Sequence, residues 1–231
     1  MCGRYAVSTP FQQLAVDFEA VAGDGFDPSY NLAPTDPVPV VWQRAEDEGA
    51  RRLGLARWGL VPSWAKDPAV GVRAFNARVE TAAEKPTFRS AFARRRCVLP
   101  ADGYYEWKKG AGRAKQPMFV HAAAGRPLGF AGLYERWKDA EGRPLWSVTI
   151  LTGPAHGPLA DIHDRRPLAI APDLVGTWLD PDLWEPERIR SLLEIDTVPA
   201  WAAHPVGPEV GNVRNDGPGL ILEITEPGTL F

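Results

Sequence analysis

The stretch RCVLPADGYYEWKK, residues 96–109, decides the fold class. It holds two short runs, RCVLPA (96–101) and GYYEWKK (103–109), parted by Asp102 and rich in β-branched, aromatic and small apolar residues. Downstream, PMFVHAA (117–123), GFAGLYERW (129–137), WSVTILTG (146–153) and PLAIAP (167–172) repeat that texture, separated by Gly, Pro and charged turns. Short runs of this kind between turn signals read as strands. Working back from residue 96, Arg52–Leu60 alternates enough to be a further strand returning from the EDEGARR turn. Pro34, Pro37 and Pro39 bar a regular central strand before about Val40, because proline gives no N–H to a ladder.

Three segments read as helices. Ser8–Ala20 has a Ser/Thr cap, an early proline, and Phe11, Leu14, Ala15 and Phe18 at helical spacing. Ala82–Arg95 places Phe88 and Phe92 on one face. Asp180–Leu193 has Asp180 as its cap and Pro181 in its first turn. The Pro-rich tail after Trp201 reads as a surface segment. No repeat or low-complexity linker divides the chain. The prediction is a single α+β domain over residues 1–231, mostly β, with a curved or barrel-like sheet at its core and peripheral helices.

Of the 231 residues, 45% are hydrophobic and 24% charged, which excludes disorder, collagen or coiled coil for the whole chain. No apolar run approaches the roughly 20 residues of a membrane helix. The opening MCGRYAVSTP lacks a signal-peptide core. A soluble cytoplasmic protein is expected, nucleoid-associated if bacterial. Cys2 and Cys97 are too few for a disulfide framework or a thiolate metal site, and the four histidines show no metal spacing. No glycine-rich phosphate loop is present. Neither a metal nor a nucleotide cofactor is expected, so the chemistry falls to scattered polar side chains. No hydrophobic seam or heptad suggests an oligomer, and a monomer is the expectation.

Charge is uneven. Residues 51–120 hold 15 Lys/Arg against 5 Asp/Glu, whereas residues 121–231 hold 9 against 16. Trp58, Trp64 and Trp107 lie within the basic stretch, with Trp42 and Trp137 on its flanks. Cations that neutralise phosphates and aromatic faces that stack on bases suit a single-strand binder; the same composition also describes a solvated basic face over an aromatic core.

Cys2 follows the initiator Met1. With Met1 removed, one residue would hold an α-amine and a thiol on adjacent carbons. An α-amine is a far weaker base than lysine, so a usable share of it is free base near neutral pH. It can condense with an aldehyde, and the adjacent thiol can then close a five-membered thiazolidine ring. A cysteine at position 2 is also compatible with plain burial at a chain start.

The opening Met1-Cys2-Gly3-Arg4-Tyr5 is followed, in order, by Tyr30–Thr35 (YNLAPT), Trp58–Trp64 (WGLVPSW) and Asn76–Thr81 (NARVET). Gly103–Lys108 (GYYEWK), Ile162–Pro167 (IHDRRP) and Val210–Asn215 (VGNVRN) complete the series. Seven such blocks over nearly the whole chain resemble the SRAP family, the SOS response-associated peptidase-like proteins. The resemblance implies a protein that shields abasic sites in single-stranded DNA. The N-terminal cysteine of the family, here Cys2, attacks the ring-opened sugar aldehyde and forms a stable thiazolidine crosslink. Arg166 stands where the family often has Met, and the acidic second half departs from its Lys-rich loops.

By the same resemblance, Glu106 sits beside the Cys2 amine and handles protons during condensation; a desolvated carboxylate suits that work. His163, the only histidine in an IHDRRP context, is a candidate for proton transfer to the sugar oxygen. Asn76 is neutral and would fix the attack geometry by hydrogen bonds. Thr152 is a candidate for the pocket wall. Arg78 and Arg165 are candidates for phosphates beside the abasic sugar, with ion pairs to Glu80 or Asp164 as the alternative. Arg4 could serve either purpose, and Trp64 and Trp107 could stack on bases or wedge at a duplex junction. With little base to read, contacts should fall on phosphates and sugars, with weak sequence preference and strong salt dependence. Single strands and single-strand/duplex junctions are the expected partners. Two other readings stay open: a thiol peptidase acting through Cys2, Glu106 and His163, and a non-covalent single-strand binding module.

Overall fold

The computed structural model describes residues 2–109, 115–194 and 200–224. In chain order the strands are β1 (Tyr5–Val7), β2 (Ala20–Ala22), β3 (Ser29–Leu32), β4 (Pro37–Trp42), β5 (Arg51–Trp58), β6 (Asn76–Arg78) and β7 (Arg96–Ala101). They continue as β8 (Gly103–Lys109), β9 (Lys115–Ala122), β10 (Leu128–Lys138), β11 (Pro144–Pro154), β12 (Arg165–Pro167) and β13 (Trp201–Pro205). Helices are short: α1 (Phe11–Asp17), α2 (Val79–Ala82), α3 (Arg89–Arg94), α4 (Val175–Leu179) and α5 (Pro186–Glu194). Five of the runs read as strands after residue 95 lie in β7 to β11, and PLAIAP begins in β12 and continues as a bridge between Phe130 and Ala169.

Two sheets form. One has the order β13-β9-β8-β1-β3. The other runs β12-β11-β10-β7-β4-β5-β2, with β6 beside β11. Strand β11 also runs parallel to β5 at Ser147↔Arg57 and Val148↔Trp58. Strands β5, β4, β7, β10 and β11 therefore close into a five-stranded ring, the barrel-like core predicted from sequence. Closure removes the open edges that a flat sheet would present. Trp58, Leu99, Phe130, Leu133 and Ile150 are fully buried in the main core. Each is worth about 1.5–3 kcal/mol of apolar burial. A smaller cluster of Ala6, Tyr105, Phe119, Val206 and Val210 packs separately from it.

Strand β5 ends at Trp58, just before Gly59, whose φ is +131°. A Cβ there would stand 2.6 Å from the Gly71 carbonyl oxygen, so two glycines let the 62–73 loop close onto the ring.

Five elements differ from the sequence reading. The first helix covers Phe11–Asp17 only, because Ser8 and Thr9 do not cap it: their hydroxyls donate to Asp102 at 2.6 and 2.7 Å. Glu19 takes a left-handed φ of 51°, and Ala20 becomes strand. Strand β4 starts at Pro37, earlier than expected, because β7 lies beside it only at Val41 and Trp42. Toward β7, the missing N–H groups of Pro37 and Pro39 thus leave no ladder unmade. The single helix expected over 82–95 is two helices, α2 and α3, parted around Pro86, which disfavours helix at the residue before it. The helix expected from Asp180 starts at Pro186; Asp180 instead ends α4, and its carboxylate accepts from the Asp182 N–H at 2.9 Å. The tail after Trp201 opens as β13, paired to β9 from Trp201↔Ala122 to Pro205↔Met118. No described helix is long and apolar enough to cross a membrane.

Candidate functional site

The chain start is threaded between the two sheets. Strand β1 pairs with β3 and β8, so Cys2 and Arg4 enter directly beside them. Cys2 is fully buried, and its Sγ lies 3.8 Å from the Arg4 carbonyl oxygen. From the other sheet, Asn76 on β6 donates its Nδ2 to the Cys2 carbonyl at 2.6 Å. The Asn76 Oδ1 is buried and has no hydrogen-bond partner among the described residues. A buried amide oxygen left this way is a ready acceptor for an arriving N–H or O–H group.

Glu106 reaches the site through the pleat of β8. Alternation puts Tyr104 and Glu106 on one face and Tyr105 and Trp107 on the other. Tyr104 belongs to the main core with Cys2, whereas Tyr105 and Trp107 pack with the smaller cluster. Glu106 is 5% exposed. Burial pushes the Cys2 thiol well above the ordinary cysteine range, and the Glu106 charge adds to that. Burial, reinforced by Cys2 and Glu106, also raises the Tyr104 hydroxyl. The Cys2 thiol is therefore held in its protonated form.

His163 lies in the turn before β12, with its Nε2 3.5 Å from Glu106 Oε1. The Arg165 backbone N–H donates to His163 Nδ1 at 3.0 Å. Asp164 Oδ1 lies 2.8 Å from the same nitrogen. A neutral ring whose Nδ1 accepts from Arg165 carries its proton on Nε2, toward Glu106. Cys2, Asn76, Glu106 and His163 thus converge from the chain start, β6, β8 and the turn before β12.

The expected DNA contacts fall into two groups. Arg78 is exposed and shares a face of β6 with Asn76, one pleat repeat away. Trp64 is 65% exposed on a loop held by the Trp137 indole, whose Nε1 donates to the Ala65 carbonyl at 2.7 Å. These two face solvent. Arg165 is turned inward: its guanidinium grips both carboxylate oxygens of Glu80 and donates to the Thr152 carbonyl at 2.6 Å. That bond holds the Glu80 carboxyl below the usual range. Thr152 is fully buried, its hydroxyl 3.4 Å from the Ala77 carbonyl oxygen. Trp107 lies on the face of β8 opposite Glu106. Arg166, the departure from the family pattern, is buried with its guanidinium 5.9 Å from the Trp201 ring.

Arg4 is a brace. Its guanidinium donates to Asn31 Oδ1 at 3.0 Å and to the Val210 carbonyl at 2.8 Å. Asn31 in turn donates to the carbonyls of Val210, Asn212 and Asn215. The YNLAPT and VGNVRN blocks are thereby tied together around the chain start. The sequence reading gave Asn31 no role. Its signal was a strand asparagine, a residue type that strands disfavour. Among the described residues, no group of three or more His, Cys, Asp or Glu side chains gathers as a metal site would require. A cavity of about 700 Å³ between α1 and the start of β10 is lined by none of the convergent residues.

The family model described as SOS response associated peptidase (SRAP) matches residues 1–213. The chain is 37% identical over 224 residues to the abasic site processing protein YoqW of Bacillus subtilis (strain 168), covering 96% of this chain and 99% of that one. It is 37% identical over 236 residues to the abasic site processing protein YedK of Escherichia coli (strain K12), covering 97% and 100%. A solved structure from Bacteroides thetaiotaomicron shares the fold, with a TM-score of 0.83 at 22% identity over 97% of this chain and 100% of its own. Together with the ring of β-strands and the order of its sequence blocks, these matches place the chain in the SRAP family.

Proposed function

We propose that the protein processes abasic sites in DNA, binding single strands and capturing the lesion covalently through Cys2. The observation that carries this reading is the gathering of Asn76, Glu106 and His163 around an N-terminal cysteine. The names of the relatives YoqW and YedK support the substrate class. The reading requires loss of Met1, because only then does the α-amine belong to Cys2.

The chemistry balances with no co-reactant. The Cys2 amine adds to the aldehyde of the ring-opened sugar, and water leaves as a Schiff base forms. The thiol sulfur then bonds to the imine carbon while its proton passes to the nitrogen, which closes the thiazolidine. One water is lost overall. Glu106 takes and returns protons at the amine and thiol. His163 serves the sugar oxygen, and Asn76 holds the cysteine carbonyl and offers its Oδ1 to the incoming group. Arg78, one pleat repeat from Asn76, and the exposed Trp64 meet the phosphates and bases of the strand. Arg4, Arg165, Thr152 and Trp107 support the site from behind. Single-strand/duplex junctions are preferred over continuous duplex, which would have to bend sharply to reach Cys2.

Purified protein is incubated with an abasic single-stranded oligonucleotide and followed by denaturing electrophoresis and intact mass. The expected product is a one-to-one adduct lacking Met1 and one water, absent in Cys2→Ala. Glu106→Gln and His163→Ala should slow its formation or reversal by about 10²-fold. An equally stable adduct from Cys2→Ala would overturn the assignment, as would peptide cleavage without any adduct.

A further inference from the structure

The surroundings of His163 contain two mutually exclusive partners for one ring nitrogen. Nδ1 presents either a lone pair or a proton in the ring plane. The Arg165 N–H at 3.0 Å requires the lone pair; Asp164 Oδ1 at 2.8 Å requires the proton. Arg165 cannot drift to relieve the conflict, since its guanidinium is bolted to Glu80 and to the Thr152 carbonyl. Asp164 stands in solvent by comparison, with a side chain 83% exposed. We propose that Asp164 is a positioning residue that switches His163 from a resting tautomer, held by Arg165, to a working tautomer able to move protons through Nε2.

In the resting state Nδ1 accepts from Arg165 and the proton sits on Nε2. That ring cannot take a proton at Nε2, and giving one up would leave an imidazolate. In the working state Nδ1–H donates to Asp164, and Nε2 presents its lone pair toward the site. A proton taken by Nε2 then yields an imidazolium with its Nδ1–H still on the carboxylate. Returning that proton to a sugar oxygen restores the neutral Nδ1–H ring. A carboxylate that orients an imidazole and stabilises its charged form is a general device of acid–base catalysis. Among the described residues, Glu106 from β8 faces the ring at Nε2, and the Asp164 carboxylate and the Arg165 backbone N–H face it at Nδ1.

The activity arm of the test rests on the proposed abasic-site reaction; the spectroscopic arm does not. In nitrogen-15 NMR of the free, Met1-processed protein, the neutral ring should show mainly the Nε2–H tautomer. The Arg165 amide signal should shift in step with ring protonation, as it loses its acceptor. Asp164→Ala, at an exposed position, should fold normally and move the averaged nitrogen signals of the neutral ring further toward the pure Nε2–H form, as the Nδ1–H form loses its acceptor. On an abasic oligonucleotide it should slow the His163-dependent step at least about tenfold. Asp164→Glu should recover part of that loss. In a His163→Ala background, Asp164→Ala should add less than about twofold, as residues acting as a unit are non-additive. A tenfold loss in both backgrounds, or a single variant within twofold of wild type, would overturn the proposal. If the wild type forms no adduct, the abasic-site reading fails. The switch then stands or falls on whether the neutral ring of the wild type shows an Nδ1–H population that Asp164→Ala loses.

Discussion

Cys2 and Cys97 are the same residue at the same burial, each fully hidden from solvent, yet only one has chemistry around it. Burial raises both thiols well above the ordinary range. For Cys97, on β7 of the ring, burial is the whole cause. Its sulfur fills space over Gly132 on β10, where an added Cβ would stand 2.9 Å away. Its carbonyl takes the Trp178 indole N–H at 2.8 Å. For Cys2 the Glu106 charge contributes, Asn76 holds the carbonyl, and His163 stands behind Glu106. A buried thiol surrounded by carbon is packing; the same thiol at the seam of two sheets, next to groups that move protons, is a candidate nucleophile.

The widest separation should come from removing each sulfur. Where Cys2→Ala abolishes the DNA adduct, Cys97→Ala should form it at the wild-type rate. Cys97→Ala should instead lose about 1–2 kcal/mol of stability to the cavity over Gly132, read by urea unfolding. An adduct lost in Cys97→Ala at temperatures where it is folded would erase the contrast. A smaller effect is expected from Asn76→Ala. Losing one buried hydrogen bond to the Cys2 carbonyl should slow adduct formation about fivefold and lower unfolding stability by about 1 kcal/mol. Single-turnover rates on the oligonucleotide would measure it.

The last effect, read on pH alone, belongs to both cysteines together. Their folded-state thiols titrate higher than those of the unfolded chain. Stability from this source is therefore intact below the unfolded thiol range near pH 8.5, and it declines as pH rises above that value, because only the unfolded chain can release the protons. Buried Tyr5 and Tyr104, also raised, extend the decline to higher pH. Urea midpoints between pH 7 and pH 10 should fall in wild type, and less steeply in Cys97→Ala. A flat profile would show that the thiols ionise alike in both states.

Much of this was legible in the residues. Turn-bounded β-rich runs located β7 to β11, since strand patterning is local and repeats every two residues. The ordered blocks singled out Cys2, Asn76, Glu106 and His163 before any of them had neighbours. Helix ends were misread where a competing partner decided them: Asp102 takes the Ser8 and Thr9 hydroxyls that would otherwise cap α1. Arg165 had two readings, phosphate ligand or ion pair, and its guanidinium is paired with Glu80.

The chain by itself determined which segments are strands, that one domain holds them, and which side chains carry reactive groups; these depend on local periodicity and chemical identity. Only the tertiary structure decided that β11 lies parallel to β5 and closes the ring. It also decided that Glu106 faces Cys2 while Trp107 faces away, and that the Nδ1 of His163 has two rival partners. Those outcomes depend on which distant surfaces exclude water together, and pairings between residues so far apart in sequence leave no period to read.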